Sequence, residues 1–159
     1  MSYMSGRVGR NDVIYRPKNI KKYVGTGKVV CRSSWEMIFC KWADNNPAVI
    51  EWASEPMGIP YVDRATKDFR GMPKKRKYYP DFIIKVRNRQ GTIDTWMVEV
   101  KPLKETKPPR QSKNKSQKTR MHEAKTWGTN QSKWRAAEAF CERRGWFFRI
   151  LTEKDLIKG

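Results

Sequence analysis

Asp81 opens one apolar run, "YYPDFIIKV", and Glu99 and Lys101 close the next, "TWMVEVKP". Read as strands, these runs sort their side chains by alternation. Trp96, Val98 and Val100 share one face, and Met97, Glu99 and Lys101 share the other. Asp81, Ile83 and Lys85 likewise separate from Phe82, Ile84 and Val86. Glu99 and Lys101 therefore point the same way, about 6.5–7 Å apart along the strand. If the pairing register sets Asp81 beside Glu99, two carboxylates and one ammonium converge. Carboxylates that close repel each other, and one is driven toward protonation unless a cation sits between them. Hard oxygen ligands open to phosphate suit Mg²⁺ or Mn²⁺. Such an ion polarises a phosphoryl oxygen and lowers the pKa of a bound water. The lysine would orient or deprotonate that water, or neutralise charge on the phosphorane; residue type does not separate these roles. Alternation also takes Glu99 off the valine face, so it need not lie in the apolar core and can line the sheet edge opposite Asp81.

Taken alone, an acid followed two residues later by a lysine is an exposed or salt-bridged pair. The pattern gains meaning from Pro80 before Asp81 and from Glu36 in an early helix. That helix follows Ser33 and Ser34, one of which caps it, with Trp35, Ile38, Phe39 and Trp42 at helical spacing and Pro47 as its stop. "VIEWASEPMGIPYVD" reads as one or two short strands broken at Pro56. The turn "RNRQG" joins the two strands of the site as an antiparallel hairpin. Residues 102–120, with Pro102, Pro108 and Pro109 among lysines, are expected to be a flexible basic loop. Helix is expected from about Met121 and ends at Gly145. "WFFRILTE" reads as a buried strand, and a short final helix follows. The order indicates an α/β domain with a central mixed sheet flanked by helices over 32–159. Residues 1–31 read as a basic amino-terminal arm, extended over a partner or over the domain. Its "GTGK" is not a phosphate loop, because Lys22 and Val29 stand where a glycine and a Ser or Thr are needed.

The chain has 159 residues and a formal charge of +19. Residues 1–22, 64–77 and 101–120 together hold +18 of that charge, and the other 103 residues are almost neutral. Charge segregated in this way favours a polyanion, with nucleic acid foremost. Lys74, Lys75, Arg76 and Lys77 in one segment, and Lys107, Arg110, Lys113, Lys115, Lys118 and Arg120 in another, are the candidate DNA contacts. Contacts of this kind hold phosphate and do not read bases. An RNA-binding reading lacks an aromatic ladder to stack on. Three cysteines without a C-x-x-C pair and a single histidine, His122, speak against structural zinc or a disulfide framework. They suit free thiols in a reducing cytoplasm. No run approaches a membrane span, the first ten residues lack the apolar core of a signal peptide, and no small-molecule cofactor or membrane partner is expected.

The set Pro80, Asp81, Glu99 and Lys101, with Glu36 on the first helix, resembles the motif of the PD-(D/E)xK nuclease superfamily. "YRPKNIKKY", "CRSSWE", "NPAVIEWASEPMGIPY", "YYPDF", "VEVKP" and "RGWFFRILTEKDL", in that order over about residues 15–157, resemble the head completion nucleases of T-even-type tailed phages. They also resemble the endonuclease subunit of certain cut-and-paste transposons. The resemblance implies a restriction-endonuclease-like core and a metal-dependent cut in double-stranded DNA during capsid maturation and head–tail joining. It implies Asp81 and Glu99 as metal ligands, the Val100 carbonyl as a third, Glu36 as holder of a water or second ion, and Lys101 as the residue serving the attacking water. Portal or neck proteins would then be neighbours, in the host cytoplasm during assembly or at the head–tail vertex of the virion. The rival reading is a non-catalytic component that clamps the packaged DNA end. Glu55 is expected to be structural, His122 a surface residue and Trp134 a packing residue.

Overall fold

The computed structural model of the chain describes residues 9–157. The first eight residues of the expected arm and the last two of the chain lie outside the described residues.

Strands β1 (Val13–Tyr15) and β2 (Val29–Cys31) pair antiparallel and lead into helix α1 (Ser34–Asn45). Ser33 is the cap: its hydroxyl accepts the Glu36 amide at 3.1 Å. Strands β3 (Val49–Ser54), β4 (Ile59–Lys67), β5 (Pro73–Tyr78), β6 (Phe82–Arg87) and β7 (Ile93–Val100) follow. After a 3₁₀ turn (Leu103–Thr106) come helix α2 (Gln117–Arg144), strand β8 (Phe147–Leu151) and helix α3 (Glu153–Ile157). A four-stranded sheet has the order β3-β6-β7-β8, with β7 and β8 parallel and the other pairs antiparallel. It is the expected mixed sheet, and α2 is the long crossover that a parallel pair requires. Among the described residues no helix is long and apolar enough to cross a membrane.

Each face of this sheet carries its own core. Phe82, Ile84, Val98 and Val100 pack with Phe39, Cys40 and Ala43 of α1 on one face. Met97 on the other meets Trp134, Ala137 and Cys141 of α2, together with Ile59, Tyr61 and Tyr78. The β4–β5 hairpin is not part of the large sheet; it forms a separate two-stranded ribbon held against α2. Gly128 in the helix permits the contact, since a Cβ there would fall 2.9 Å from the Ala65 Cβ. Asp63, buried in the ribbon, accepts from Thr129 of α2 and from Thr66.

The described part of the segment, residues 9–31, takes the second of the two expected placements, over the domain, and goes further than an arm. Tyr15, Val29 and Cys31 are buried in the same core as α1. Tyr15 and Tyr23 flank the fully buried Trp52, with ring centroids 6.0 and 4.7 Å away. Residues 22–24 hydrogen-bond along Trp52 of β3 and cover the open edge of that strand, which would otherwise be free to pair with another chain. The division at residue 31 therefore separates no structural units: Cys31 and Cys40 touch across it, Sγ to Sγ 3.6 Å.

Other differences from the sequence reading have plain causes. Residues 64–78 contain the end of β4 and all of β5, hidden in the sequence by consecutive lysines. The stretch "YYPDF" does not lie within one strand, because β5 ends at Tyr78 and Pro80 and Asp81 turn the chain into β6. Residues 102–120 are not one loop. Leu103 donates its amide to the Glu153 carboxylate at 2.9 Å, and α2 begins at Gln117 under the Ser116 cap, so Lys118 and Arg120 are helical. Strand β8 is only partly buried, since it is the sheet edge: Phe148 and Ile150 pack inward while Phe147 is 46% exposed. On α1, Ile38 and Trp42 stay at the rim, and the deeply buried positions are Phe39, Cys40, Ala43 and Asp44.

Asp44 holds the amino-terminal segment to α1. It is fully buried and accepts from the Tyr15 hydroxyl at 2.6 Å, the Lys18 amide at 2.7 Å and the Asn19 amide at 3.1 Å. Burial alone would push its carboxyl up, but these donors more than offset that and hold it below the ordinary aspartate value. Replacing Asp44 with Ala strands three donors and should cost about 3 kcal/mol. That would lower the Tm by roughly 6–12 °C for a domain of this size. Because the folded pKa is depressed, the stabilisation is present above the unfolded carboxylate pKa and is lost as pH falls through the folded value. Thermal melts of the two proteins should differ at pH 7 and converge as the pH falls below the depressed folded value; a gap that persisted in acid would show that the carboxylate charge is not what holds the segment.

Candidate active site

The β6–β7 register pairs Phe82 with Val98, so one step further it sets Asp81 opposite Glu99. Both stand at strand ends: Asp81 just before β6 and Glu99 in the last pleat of β7. Asp81 Oδ2 accepts the Val100 amide at 2.7 Å. In an extended strand the N–H and C=O of one residue point to the same side. The Val100 carbonyl therefore also faces Asp81, while the Lys101 amide turns the other way to the Leu151 carbonyl, 2.9 Å. The Lys101 Nζ is 4.0 Å from Glu99 Oε2. Asp81, Glu99 and Lys101 are thus brought together as their spacing predicts, and the Val100 backbone, which only the family resemblance pointed to, joins them.

One expectation changes. Leaving the valine face does not take Glu99 out of the interior, because α2 and the β4–β5 ribbon cover the opposite face. Glu99 is only 5% exposed, and its Oε1 is buried without a hydrogen-bond partner. Burial pushes the Glu99 carboxyl up, and the Lys101 ammonium, the adjoining Asp81 carboxyl, the nearby Tyr78 hydroxyl and Lys133 pull it partly back. Asp81 is held well above the ordinary aspartate value, first by burial and then by the neighbouring Glu99 charge, against the opposing pull of the Val100 amide and Lys101. Without a cation, both carboxyls hold their protons more tightly than two exposed acids would.

Glu36 lies on the rim of this pair. Its pKa is raised to about 7 by burial and by the charge of Asp81, opposed by the Arg32 amide and guanidinium. Its Oε2 accepts the Arg32 amide at 2.6 Å. The Arg32 side chain reaches Glu55 at 2.8 Å. Glu55 donates its own amide to the Asp81 carbonyl at 2.8 Å and has a φ of 43°, rare for a residue with a Cβ. Glu55 therefore supports the site from behind, as a structural acid placed directly at the strand ends that carry Asp81 and Glu99. Such strained backbone is the kind that collects at functional sites.

Lys133 on α2 was not singled out by its sequence context. It is half-buried, its Nζ lies 5.8 Å from the centre of the Tyr78 ring, and burial and Lys101 hold its pKa below the ordinary lysine value while Glu99 and Asp63 raise it. The signal was a cation flanking the stripe formed by Trp127, Asn130, Trp134, Ala137 and Cys141, where a fully solvated side chain is not expected.

The candidate DNA contacts divide. Cross-strand pairing sets Lys74 and Arg76 on the ribbon face that holds Asp63 and Tyr61, and Lys75 and Lys77 on the open face with Val62 and Pro60. Arg76 directs part of its charge to Asp63, 3.5 Å away. Lys107, Arg110, Lys113 and Lys118 are exposed. Lys115 is turned inward, with its ammonium on the Glu123 carboxylate at 2.8 Å and on the Arg110 carbonyl. Arg120 donates to the Ser112 carbonyl at 2.9 Å. These two cations fasten the segment to α2, and in the protein alone the Lys115 charge is already paired with a part-buried acid.

Two carboxylates, one of them with an unpartnered buried oxygen, and an inward carbonyl fit a hard divalent cation. Among the described residues no three His, Cys, Asp or Glu side chains gather closely enough to enclose a metal. Glu36 is therefore not a third carboxylate at the pair, and the remaining positions around an ion would fall to water and substrate.

The raised pKa of Glu36 sets a sign for stability. Its protonated form stabilises the fold below the unfolded value near 4.5, and that contribution is lost as pH rises through about 7. Replacing Glu36 with Gln should thus raise the Tm of the metal-free protein at pH 8 by roughly 2–4 °C, with the gain fading by pH 5. Melting curves across this range check it; an equal gain at both pH values would contradict the assignment.

Residues 46–153 match the family model for the TnsA-like endonuclease N-terminal domain. The chain is also 42% identical over 144 residues to the head completion nuclease of Enterobacteria phage T4, an alignment covering 88% of this chain and 89% of that protein. The matched region contains Asp81, Glu99 and Lys101, and the mixed sheet flanked by helices agrees with a restriction-endonuclease-like fold. This chain belongs to the TnsA-like endonuclease family and is a nuclease.

Proposed function

We propose that the chain is a Mg²⁺-dependent DNA endonuclease that trims or cuts double-stranded DNA while a phage head is completed for its tail. The observation that carries this is the convergence of Asp81, Glu99 and Lys101 at adjacent strand ends, with the Glu99 Oε1 buried and unpartnered. The relative from phage T4 bears the name head completion nuclease, and the strong basic charge suits a packaged DNA end. Double-stranded DNA is the substrate in this reading, and portal or neck proteins are the neighbours. The place of work is the host cytoplasm during assembly and the head–tail vertex.

Asp81, Glu99 and the Val100 carbonyl would hold Mg²⁺ or Mn²⁺. When bound there, such an ion supplies Lewis-acid polarisation of the phosphate and a more acidic water. Lys101 sets its ammonium beside the Glu99 carboxylate, where it can hold the attacking water and offset charge on the phosphorane. Glu36, with a proton affinity near neutrality, would take the proton that water releases as it attacks phosphorus and the P–O bond to the leaving strand breaks. The exposed lysines and arginines hold phosphate on either side of the cut.

Replacing Asp81 or Lys101 with Ala should lower cleavage at least about a hundredfold while DNA affinity is largely kept. Mg²⁺ should raise the Tm of the wild-type protein, by binding the folded state alone, and should not raise that of Asp81→Asn. Metal-independent cleavage, or full cleavage by both alanine variants, would remove the catalytic assignment and leave a DNA clamp. Changing Lys107, Arg110, Lys113 and Lys118 to Gln should reduce the slope of log K against log salt by about 0.9 for each phosphate these side chains neutralise. An unchanged slope would show that this segment does not reach DNA.

A further inference from the structure

Phe69 is 98% exposed, the most exposed of the large apolar side chains described, and Met72 beside it is 56% exposed. A lone surface phenylalanine is ordinary; this one is built into an ordered tip. It sits in the turn that joins β4 to β5, and that turn is fixed by Asp68. The Asp68 carboxylate accepts the Arg70 amide at 2.8 Å and the Met72 amide at 3.0 Å, and its own amide donates to the Met72 carbonyl at 2.7 Å. Gly71 completes the turn at a φ of +80°. Asp68 is the single acid among residues 64–77, against seven basic side chains, and the turn occupies it. The other end of the ribbon, at Ile59 and Tyr78, lies against the catalytic strand ends. A cationic two-stranded ribbon of this kind fits a DNA groove, and apolar side chains at such tips open base steps.

We infer that the β4–β5 ribbon lies along a DNA groove and that Phe69 inserts between stacked base pairs as a wedge. Lys75 and Lys77 on the open face hold the phosphates beside it. Five residues of strand separate Pro73 from Tyr78, about 17 Å, so the wedge stands within one helical turn of the cut. The inference rests on the DNA-nuclease reading above, but its test does not use cleavage.

Asp81→Asn protein, used as an inert background, is bound to nicked plasmid that is then sealed with ligase. Unstacking by Phe69 should shift the linking number of the sealed circles, and adding Phe69→Ala should abolish the shift. Phe69→Ala should also weaken binding to a linear duplex roughly tenfold with no change in salt slope, because it removes no charge. Phe69→Trp should restore both readouts. Lys75→Gln with Lys77→Gln should instead flatten the slope. Overturning results are an absence of DNA binding, no topological shift by the parent protein, or a Phe69→Ala variant that binds and shifts DNA as its parent does. Wild-type protein that fails to cut with any divalent metal, while the shift is present, would end the nuclease reading and leave the wedge intact.

Discussion

The constraint on which the rest depends is the forced proximity of Asp81 and Glu99. Two carboxylates in a partly dry site are unfavourable together, and water would solvate them separately if the backbone allowed it. The antiparallel register of β6 and β7 does not allow it. That register is fixed on both faces of the sheet at once, because a slip by one residue would carry Phe82, Ile84, Val98 and Val100 out of the core under α1. Apolar packing thus supplies the free energy that keeps the acids side by side. The Glu99 oxygen without a partner is what that conflict leaves behind.

The surrounding acids and cations form a graded shell around this pair. Glu55 binds the Asp81 backbone and Arg32 restrains both Glu55 and Glu36, so two nearby acids are kept from joining the pair. On the opposite side Lys101 and Lys133 come from different elements, β7's end and α2, and both bear on Glu99. Helix α2 does more than span the parallel crossover. It buries Glu99, presents Lys133 and holds the ribbon through Thr129, Ser132 and the close approach at Gly128. The position of the ribbon is therefore tied to the position of Glu99.

How much of this was legible in the sequence follows from the range of the forces involved. Alternation and turn composition are local, and they placed Asp81, Glu99 and Lys101 on one side of a hairpin whose register bears this out. The cap at Ser33 and the helix stop at Gly145 were legible for the same reason, since each is a contact between neighbours in the chain. What covers the other face of a sheet is not local. The burial of Glu99, the entry of Tyr15 and Val29 into the core, and the approach of Lys133 all come from contacts distant along the chain. The β5 strand was concealed by its lysines, because a ribbon packed on one side only shows alternation when its polar face and its buried face differ in composition. Here Lys74 and Arg76 serve the inner face as cations beside Asp63, and the pattern vanishes.

The charge of +19 and the acidic centre belong to one design. A field that positive stabilises neighbouring carboxylates at long range, yet Asp81 remains far above its ordinary value. Exposed cations are screened over about 8–10 Å at physiological salt, whereas the Asp81–Glu99 repulsion acts through a buried contact that salt does not reach. The basic surface therefore cannot neutralise the pair for the protein on its own. Only a charge delivered inside the site can, and among the described residues the inward cation nearest to contact, Lys101, stands at the 4.0 Å limit of an ion pair with Glu99. On the proposed reading a separation of roles follows: the outer cations would gather phosphate, and the inner acids would stay under-compensated until a small cation and the phosphate arrive together. A site balanced in advance by a close lysine would be more stable and would have no remaining demand for either.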